Sequence, residues 1–500
     1  MKGNDRQSLS YASRRGPSGS AAMEMPAYKS SPSPLAVVGF FTVGVVLQVV
    51  ATGINSGVGD LEWQIKMVAL FALVLLVFAA RAFREPGQSW VNPPSLFLCS
   101  FLLFTMGQTM LSLFGVKATG FVIEDKFTHE VILRASVYTV SCFSYLVAGV
   151  LIAMRRARKP LPAEGEDEDI SLASEAALRR FGFAAMIIGA PFFLNYLAEM
   201  VPLALAHGYA GINDVSLYSS TTQLKVSLLG ESVFKAGIFC ALLGLRRRRG
   251  PFWFIALIVI GYSSLLLLAG ERTESTAMLI ILLWLARRYG VGKVKPPRML
   301  LVVLVLALLA IYPAIMAGRN EGFLSVNDLW TSVVSEGIVQ SITDSVSILG
   351  YSMYPLIETM RLVPDDYPFR SGMTYLAAVT AVIPYQQIPN QHARLGVWLQ
   401  DSLSLSYGPG YSIPAEAYIN FGMMGPLIAM PILGYIVGRF MCPRVRGEGF
   451  SWVVAVPVVF LVLNLTLPRR EILGSIRDIG YIILPMYFIL RGFINRGQKR

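Results

Sequence analysis

The chain has 500 residues, of which 54% are hydrophobic and 15% charged, well below the roughly 25% charge of ordinary soluble domains. Apolar runs such as those from Leu35 and from Met299 approach the roughly 20 residues that cross a bilayer, which excludes a soluble enzyme or a nucleic-acid-binding module. The net charge of +12 says little by its size, because polytopic proteins carry Lys and Arg for orientation alone.

Residues 1–34 are rich in Ser, Pro and Gly, with no short apolar core ahead of a small-residue cleavage site, and read as a disordered cytoplasmic tail without a signal peptide. Residues 35–317 then hold spans one to nine, starting near Leu35, Ile65, Ser95, Val131, Phe181, Ser227, Phe252, Ser275 and Met299. The fifth carries Pro191, Asn195, Glu199 and Pro202 and is expected to be interrupted; the eighth is short. Residues 318–415 form one long outward loop. Within it Val326, Leu329, Trp330, Val333, Val334, Ile338, Ile342, Val346 and Leu349 recur at helical spacing, predicting an amphipathic helix that lies on the membrane or caps a cavity. Residues 416–491 complete the membrane region with spans near Gly422, Ser451 and Ile479, and 492–500 form a second cytoplasmic tail. The expected fold is therefore an all-α polytopic membrane protein of about 12 transmembrane helices, with a partly helical periplasmic loop between spans nine and ten.

Orientation follows from the short loops. Basic clusters after spans four (Arg155, Arg156, Arg158, Lys159), six (Arg246 to Arg249), eight (Arg287, Arg288, Lys293, Lys295, Arg298) and ten (Arg444, Arg446) share one side with both termini, which places that side in the cytoplasm. Cys99, Cys142, Cys240 and Cys442 show no disulfide or zinc spacing, and no metal or cofactor is expected.

Positive charges on the other side break that rule. Arg272 lies in a tight outward loop, Arg319 follows span nine, and Arg469, Arg470 and Arg477 crowd the loop before span twelve. Ion pairs with Glu271, Glu274, Glu321, Glu471 and Asp478 are the plain reading. An anion site is the functional one, because guanidinium binds phosphate oxygens bidentately and keeps its charge when partly buried; several arginines at the mouth of a cavity suit a pyrophosphate. Glu416, Tyr418 and Asn420 enter the membrane edge between helix-breaking Gly and Pro residues. A carboxylate there is costly unless it has a partner or faces water, so Glu416 is either a structural salt bridge or a general base toward a sugar hydroxyl. His392, in a polar stretch of the long loop, is the alternative base.

The string GPGYSIPAEAYINFGMMG, from Gly408 to Gly425, resembles the Gly-x-Gly, Ser, Glu, Tyr, Asn-Phe-Gly signature of bacterial oligosaccharide repeat-unit polymerases, the O-antigen polymerase (Wzy-type) family. LLLAGERTES resembles that family's Gly-x-Arg segment, and Arg361 with Gly372 and Arg469 with Gly480 match its arginine-to-glycine spacing; the likeness spans roughly Leu265 to Pro485. The resemblance implies a glycosyltransferase of the bacterial inner membrane. It would transfer the growing glycan from undecaprenyl pyrophosphate to the non-reducing-end sugar of a lipid-linked repeat unit at the outer membrane face. Arg272, Arg319, Arg469, Arg470 and Arg477 would then hold pyrophosphate without metal, and Ser412, Tyr418 and Asn420 would orient sugar or Glu416. The expected partners are the undecaprenyl-pyrophosphate-linked oligosaccharide and membrane lipids, with a flippase and a chain-length regulator as further candidates. An O-antigen ligase, another lipid-linked-glycan transferase, or a transporter of lipid-linked oligosaccharide are the alternatives.

Overall fold

A computed structural model describes residues 32–53, 60–84, 90–156, 172–218, 221–268, 272–290, 297–321, 337–382, 394–405, 408–442 and 450–497. These residues contain helices and no strand. A helix stands at each predicted span: α1 Pro34–Gly53, α2 Leu61–Ala82, α3 Pro93–Ser112, α4 His129–Arg156, α5 Leu172–Tyr218, α6 Thr221–Leu245, α7 Arg249–Leu268, α8 Arg272–Tyr289 and α9 Arg298–Glu321. The short helices α10 Ile338–Leu349, α11 Met353–Leu362, α12 Met373–Thr380, α13 Leu395–Ser402 and α14 Ile413–Phe421 follow. The chain closes with α15 Gly425–Met441, α16 Phe450–Asn464, α17 Ile472–Asp478 and α18 Leu484–Gly497. By length and composition 8 helical segments among the described residues suffice to cross a bilayer, with shorter apolar helices at Val302–Ile311 and Ala455–Arg469.

The helix α4 is the centre of the bundle: 94% of its most apolar stretch is buried, against 22% for α1 and 28% for α2, whose apolar surface faces outward as lipid-contacting helices require. Between membrane helices the solvent supplies no hydrophobic drive, so close packing of small residues has to hold the bundle. In the crossing of α4 and α15 a side chain on Gly149 would collide with the Pro431 carbonyl, and one on Gly434 with the Leu146 carbonyl. The pair α5 and α6 uses the same device in a repeating form. Gly182 and Gly189 on α5 face Gly237 and Gly230 on α6, Gly244 meets the backbone of Glu175 and Arg179, the spacing is heptad on both helices, and a Cβ on Gly237 would sit 2.7 Å from the Met186 nitrogen. A heptad seam keeps two helices in register over several turns. Polar side chains add specific links: Ser141 donates to the Gly44 carbonyl at 2.9 Å, and Gln48 donates to the Met423 carbonyl at 2.7 Å.

One expectation needs correction. Helix α5 runs without a break through Pro191 and Pro202 for 47 residues, so the prolines do not interrupt it; flanking helices can absorb the backbone groups a proline frees. In the amphipathic segment, the part from Val326 to 336 lies outside the described residues, and α10 is 12 residues long. Its polar residues turn inward, and its apolar residues range from exposed at Ile338 to buried at Leu349. Ser341, Thr343, Asp344, Ser345 and Ser347 are buried, while Ile338 and Val339 are 63% and 74% exposed. Asp344 accepts from the Thr119 N–H at 2.7 Å and from its hydroxyl at 2.8 Å, and Ser345 donates to the Leu309 carbonyl. Polar groups turned inward are what an apolar solvent favours. Gly107 of α3 and Gly350 meet so closely that a Cβ on Gly107 would lie 2.7 Å from the Val346 carbonyl.

Replacing Gly434 with Leu is expected to destabilise the protein by roughly 1–3 kcal/mol through overpacking. Thermal unfolding in detergent should show a lowered transition, whereas Leu at the open position Gly39, where a Cβ meets nothing within 4 Å, should leave it unchanged.

Candidate functional site

Ser412, Glu416 and Asn420 recur every four residues and therefore share one face of α14. All three are buried, at 0%, 2% and 2% exposure. Ser412 is the N-cap of that helix, accepting the Ala415 N–H at 3.3 Å. Glu416 uses both carboxylate oxygens: Oε1 accepts from the Thr374 hydroxyl at 2.9 Å, and Oε2 accepts from the backbone N–H of Ile472 at 2.8 Å. That N–H opens α17, so it is one of the donors a helix start leaves unsatisfied. Asn420 extends the chain of bonds, donating to the Thr374 hydroxyl oxygen and to the Glu416 carbonyl, both at 2.7 Å, and accepting from the Gly372 N–H at 3.0 Å. The Arg370 and Ser371 N–H groups donate to the carbonyls of Ile419 and Asn420 at the end of α14. Three stretches far apart in sequence, 370–374, 412–420 and 469–478, are thus held as one unit.

The glycines in this unit have local reasons. Gly372 adopts φ 87 and Gly422 φ 57, a left-handed region that other residues resist. A Cβ on Gly422 would also lie 2.9 Å from the Phe369 ring. Tyr418 donates its hydroxyl to the Val363 carbonyl at 3.3 Å, and its ring meets those of Tyr138 and Phe369 edge-on.

The arginines expected to lie outward sit beside this unit. Arg469 donates to the Thr273 hydroxyl at 3.4 Å, and Arg470 Nη1 lies 3.7 Å from Glu274 Oε1, so the start of α8 and the loop before α17 come together across almost 200 residues of sequence. Arg470 also donates to the Leu463 carbonyl. Arg477 is within electrostatic reach of Arg394, Glu471 and Tyr481. Burial pushes the Glu471 carboxyl above the usual carboxylate range, opposed by backbone N–H groups including that of Gly396 and by Arg470 and Arg394. Arg370 stands over the Trp398 ring at 5.1 Å. Guanidinium groups of Arg370, Arg394, the loop before α17 and Arg477 on α17 therefore line one end of the bundle, with Glu274, Glu471 and Asp478 as counter-charges.

The expected residues divide as follows. Glu416, Asn420, Ser412, Arg469, Arg470 and Arg477 converge on this end, with Tyr418 on the neighbouring side of α14. Arg272 opens α8 next to Thr273, and Arg319 lies in the last turns of α9; the side chains of both are outside the described residues. His392 lies outside the described residues altogether. Ion pairing, the plain reading of the arginines, holds for Arg470 with Glu274. Sequence reasoning passed over Thr374, which joins Glu416 to Asn420, and the buried pair Glu231 and Lys235 with Tyr262 behind Glu274. The signal for the pair was available, since Glu and Lys one turn apart inside an apolar run are costly enough to mark a site.

A separate cavity of about 170 Å³ opens between α2, α3 and the start of α4, lined by Lys66, Gln108, Ser112, Lys117 and Glu124. Its central amide is fully engaged: Gln108 donates to the Phe121 and Ser347 carbonyls and accepts from the Ile123 N–H. Among the described residues no group of three or more His, Cys, Asp or Glu side chains is placed to hold a metal ion.

Thr374→Val removes the hydroxyl between Asn420 and Glu416 and leaves a buried carboxylate oxygen without its donor, at an expected cost of about 1–3 kcal/mol. The check is the unfolding transition in detergent, which should fall, while Thr380→Val on an exposed turn of the same helix should not move it.

The family whose description is O-antigen polysaccharide polymerase Wzy matches residues 37–497. No curated protein and no solved structure matches the chain.

Proposed function

The chain belongs to the O-antigen polysaccharide polymerase Wzy family, and we propose that it transfers the growing glycan from undecaprenyl pyrophosphate to the non-reducing-end sugar of a lipid-linked repeat unit at the outer face of the membrane. Membership makes it a repeat-unit polymerase of glycosyltransferase type, an integral protein of the bacterial inner membrane acting on lipid-linked oligosaccharide. The finer reading rests mainly on one observation: Arg469 and Arg470 meet the start of α8 through Thr273 and Glu274, while Glu416 ties the same segment to the long loop.

In this reading both termini are cytoplasmic, and the arginine-lined end faces outward. Pyrophosphate leaves as the new glycosidic bond forms, so the charge that develops on its bridging oxygen needs fixed cations. Arg469 and Arg470, joined by Arg272, Arg319 and Arg477, supply them, and this chemistry asks for no metal. The acceptor hydroxyl loses its proton as it attacks the anomeric carbon. With both oxygens of Glu416 engaged and 2% of the residue exposed, its role is to hold the arginine segment in place, and the proton acceptor is His392, two residues before Arg394. Tyr418 and Asn420 keep the walls of the site in position. A flippase that delivers repeat units and a regulator of chain length are the partners this reaction calls for.

The test uses purified protein in proteoliposomes with a lipid-linked single repeat unit, without nucleotide sugar or added metal. A product ladder spaced by one repeat is expected. Labelled substrate that crosses the membrane without forming a ladder would instead identify a transporter. His392→Gln should lower the rate by about 10²–10⁴-fold, the usual contribution of a general base, and remove the acidic limb of the pH–rate profile. Glu416→Gln should lower the rate with the limb retained. A lost limb in Glu416→Gln and a normal one in His392→Gln would exchange the two roles.

A further inference from the structure

Lys235 and Arg246 are the buried cations among the described residues, each 5% exposed. Arg246 lies at the far end of α6, paired with Glu175. Lys235 lies behind the arginine cluster. Its Nζ is 3.0 Å from Glu231 Oε1, one turn earlier on α6, and bonds to Glu274 Oε2. The Tyr262 hydroxyl donates to the same Glu231 oxygen, so Glu231 is satisfied without Arg470. Ser232, on the same stretch of α6, donates to Asp478 Oδ1 at 3.4 Å, which fixes α6 against the end of α17.

Glu274 is the shared element. One of its oxygens is in hydrogen-bond contact with Lys235, and the other is 3.7 Å from Arg470 Nη1, beyond the 2.7–2.9 Å of a charge-assisted hydrogen bond. The two cations also differ in access. Lys235 has a side chain 6% exposed, that of Arg470 is 32% exposed, and Glu274 lies between them at 33%. The carboxylate is thus held tightly on its inner side and loosely on its outer side.

We propose that Lys235 is a positioning residue that draws Glu274 back from Arg470 and so leaves the Arg470 guanidinium open to a pyrophosphate oxygen. The inference rests on the reading of Arg470 as a pyrophosphate ligand. A guanidinium locked in a close carboxylate pair has to break that pair before it can take a phosphate, and in a site of low dielectric such a pair is expensive to break. Removing the ammonium of Lys235 leaves Glu274 with Arg470 as its remaining charge partner. About an ångström of movement then closes the 3.7 Å gap and withdraws Arg470 from the anion.

Calorimetric titration of inorganic pyrophosphate into the full-length protein in detergent tests this. Arg470→Gln should weaken binding by about tenfold, a loss equal to one charge-assisted contact. Lys235→Met should weaken it by about as much, Lys235→Arg by less than about threefold, and Lys235→Met with Glu274→Gln should return to within about threefold of the wild type, because the competing carboxylate is gone. A double variant no tighter than Lys235→Met overturns the proposal, and so does a single Glu274→Gln variant no tighter than the wild type, because a merely structural pair is relieved by the double change without any gain from the single one. If Lys235→Met fails to fold, Glu274→Gln decides alone: tighter binding than the wild type supports the competition, and unchanged or weaker binding overturns it. Wild-type affinity in Arg470→Gln overturns the pyrophosphate assignment itself and the proposal with it, whereas a weak Arg470→Gln beside an unaffected, folded Lys235→Met overturns the proposal alone.

Discussion

A buried carboxylate that accepts from a threonine hydroxyl and from the first N–H of a helix is the link on which the arginine-lined end depends. Glu416 sits where bulk water is excluded, so its charge has to be satisfied by donors fixed in place. The donors it takes come from two segments far apart in the chain, Thr374 of the long loop and Ile472 at the opening of the last span. Because Ile472 lies two residues after Arg470, fixing its nitrogen also restricts where the Arg469 and Arg470 side chains start. Asn420 does the same for the loop through Gly372.

The glycine seams set the conditions for this arrangement. Lipid offers no hydrophobic drive for helix association, so α4 and α15 lie together because Gly149 and Gly434 let their backbones touch. The end of α14 passes into α15 through Gly422 and Gly425, so the placement of Glu416 follows from that crossing. On the other side, the heptad glycines of α5 and α6 bring α6 close, and with it Glu231 and Lys235. The charged groups at this end thus rest on backbones spaced by small residues, which tolerate little adjustment.

How much of this was legible in the sequence depends on the range of the interaction. Spans were readable, because about 20 apolar residues in a row have one sensible structure in a bilayer. The continuous course of α5 was not, because proline disrupts a helix by local rule, through a lost N–H and a steric clash, and the tolerance membrane helices have for it depends on surroundings the sequence does not state. For α10 the helix over its described part was legible, whereas the partners of its buried polar residues, Thr119 and the Leu309 carbonyl, were not, because they lie outside the segment. In the site, the stripe Ser412, Glu416 and Asn420 was local and visible. The bonds from Thr374 and Ile472 to Glu416, and the meeting of Arg470 with Glu274, join residues far apart in the chain and follow from packing alone.

The bond between Glu416 and Ile472 also sets an order in time. Glu416 enters the membrane with the tenth span, and its second donor lies 56 residues further along, at the opening of the last span. During synthesis the carboxylate and the long loop are therefore in place before the helix that completes them has been made. At that stage the chain carries Thr273 and Glu274 but lacks Arg469 and Arg470, which meet them in the finished fold. The arginine-lined end is assembled only when the final helix inserts, so a chain halted before that point lacks the contacts this end depends on.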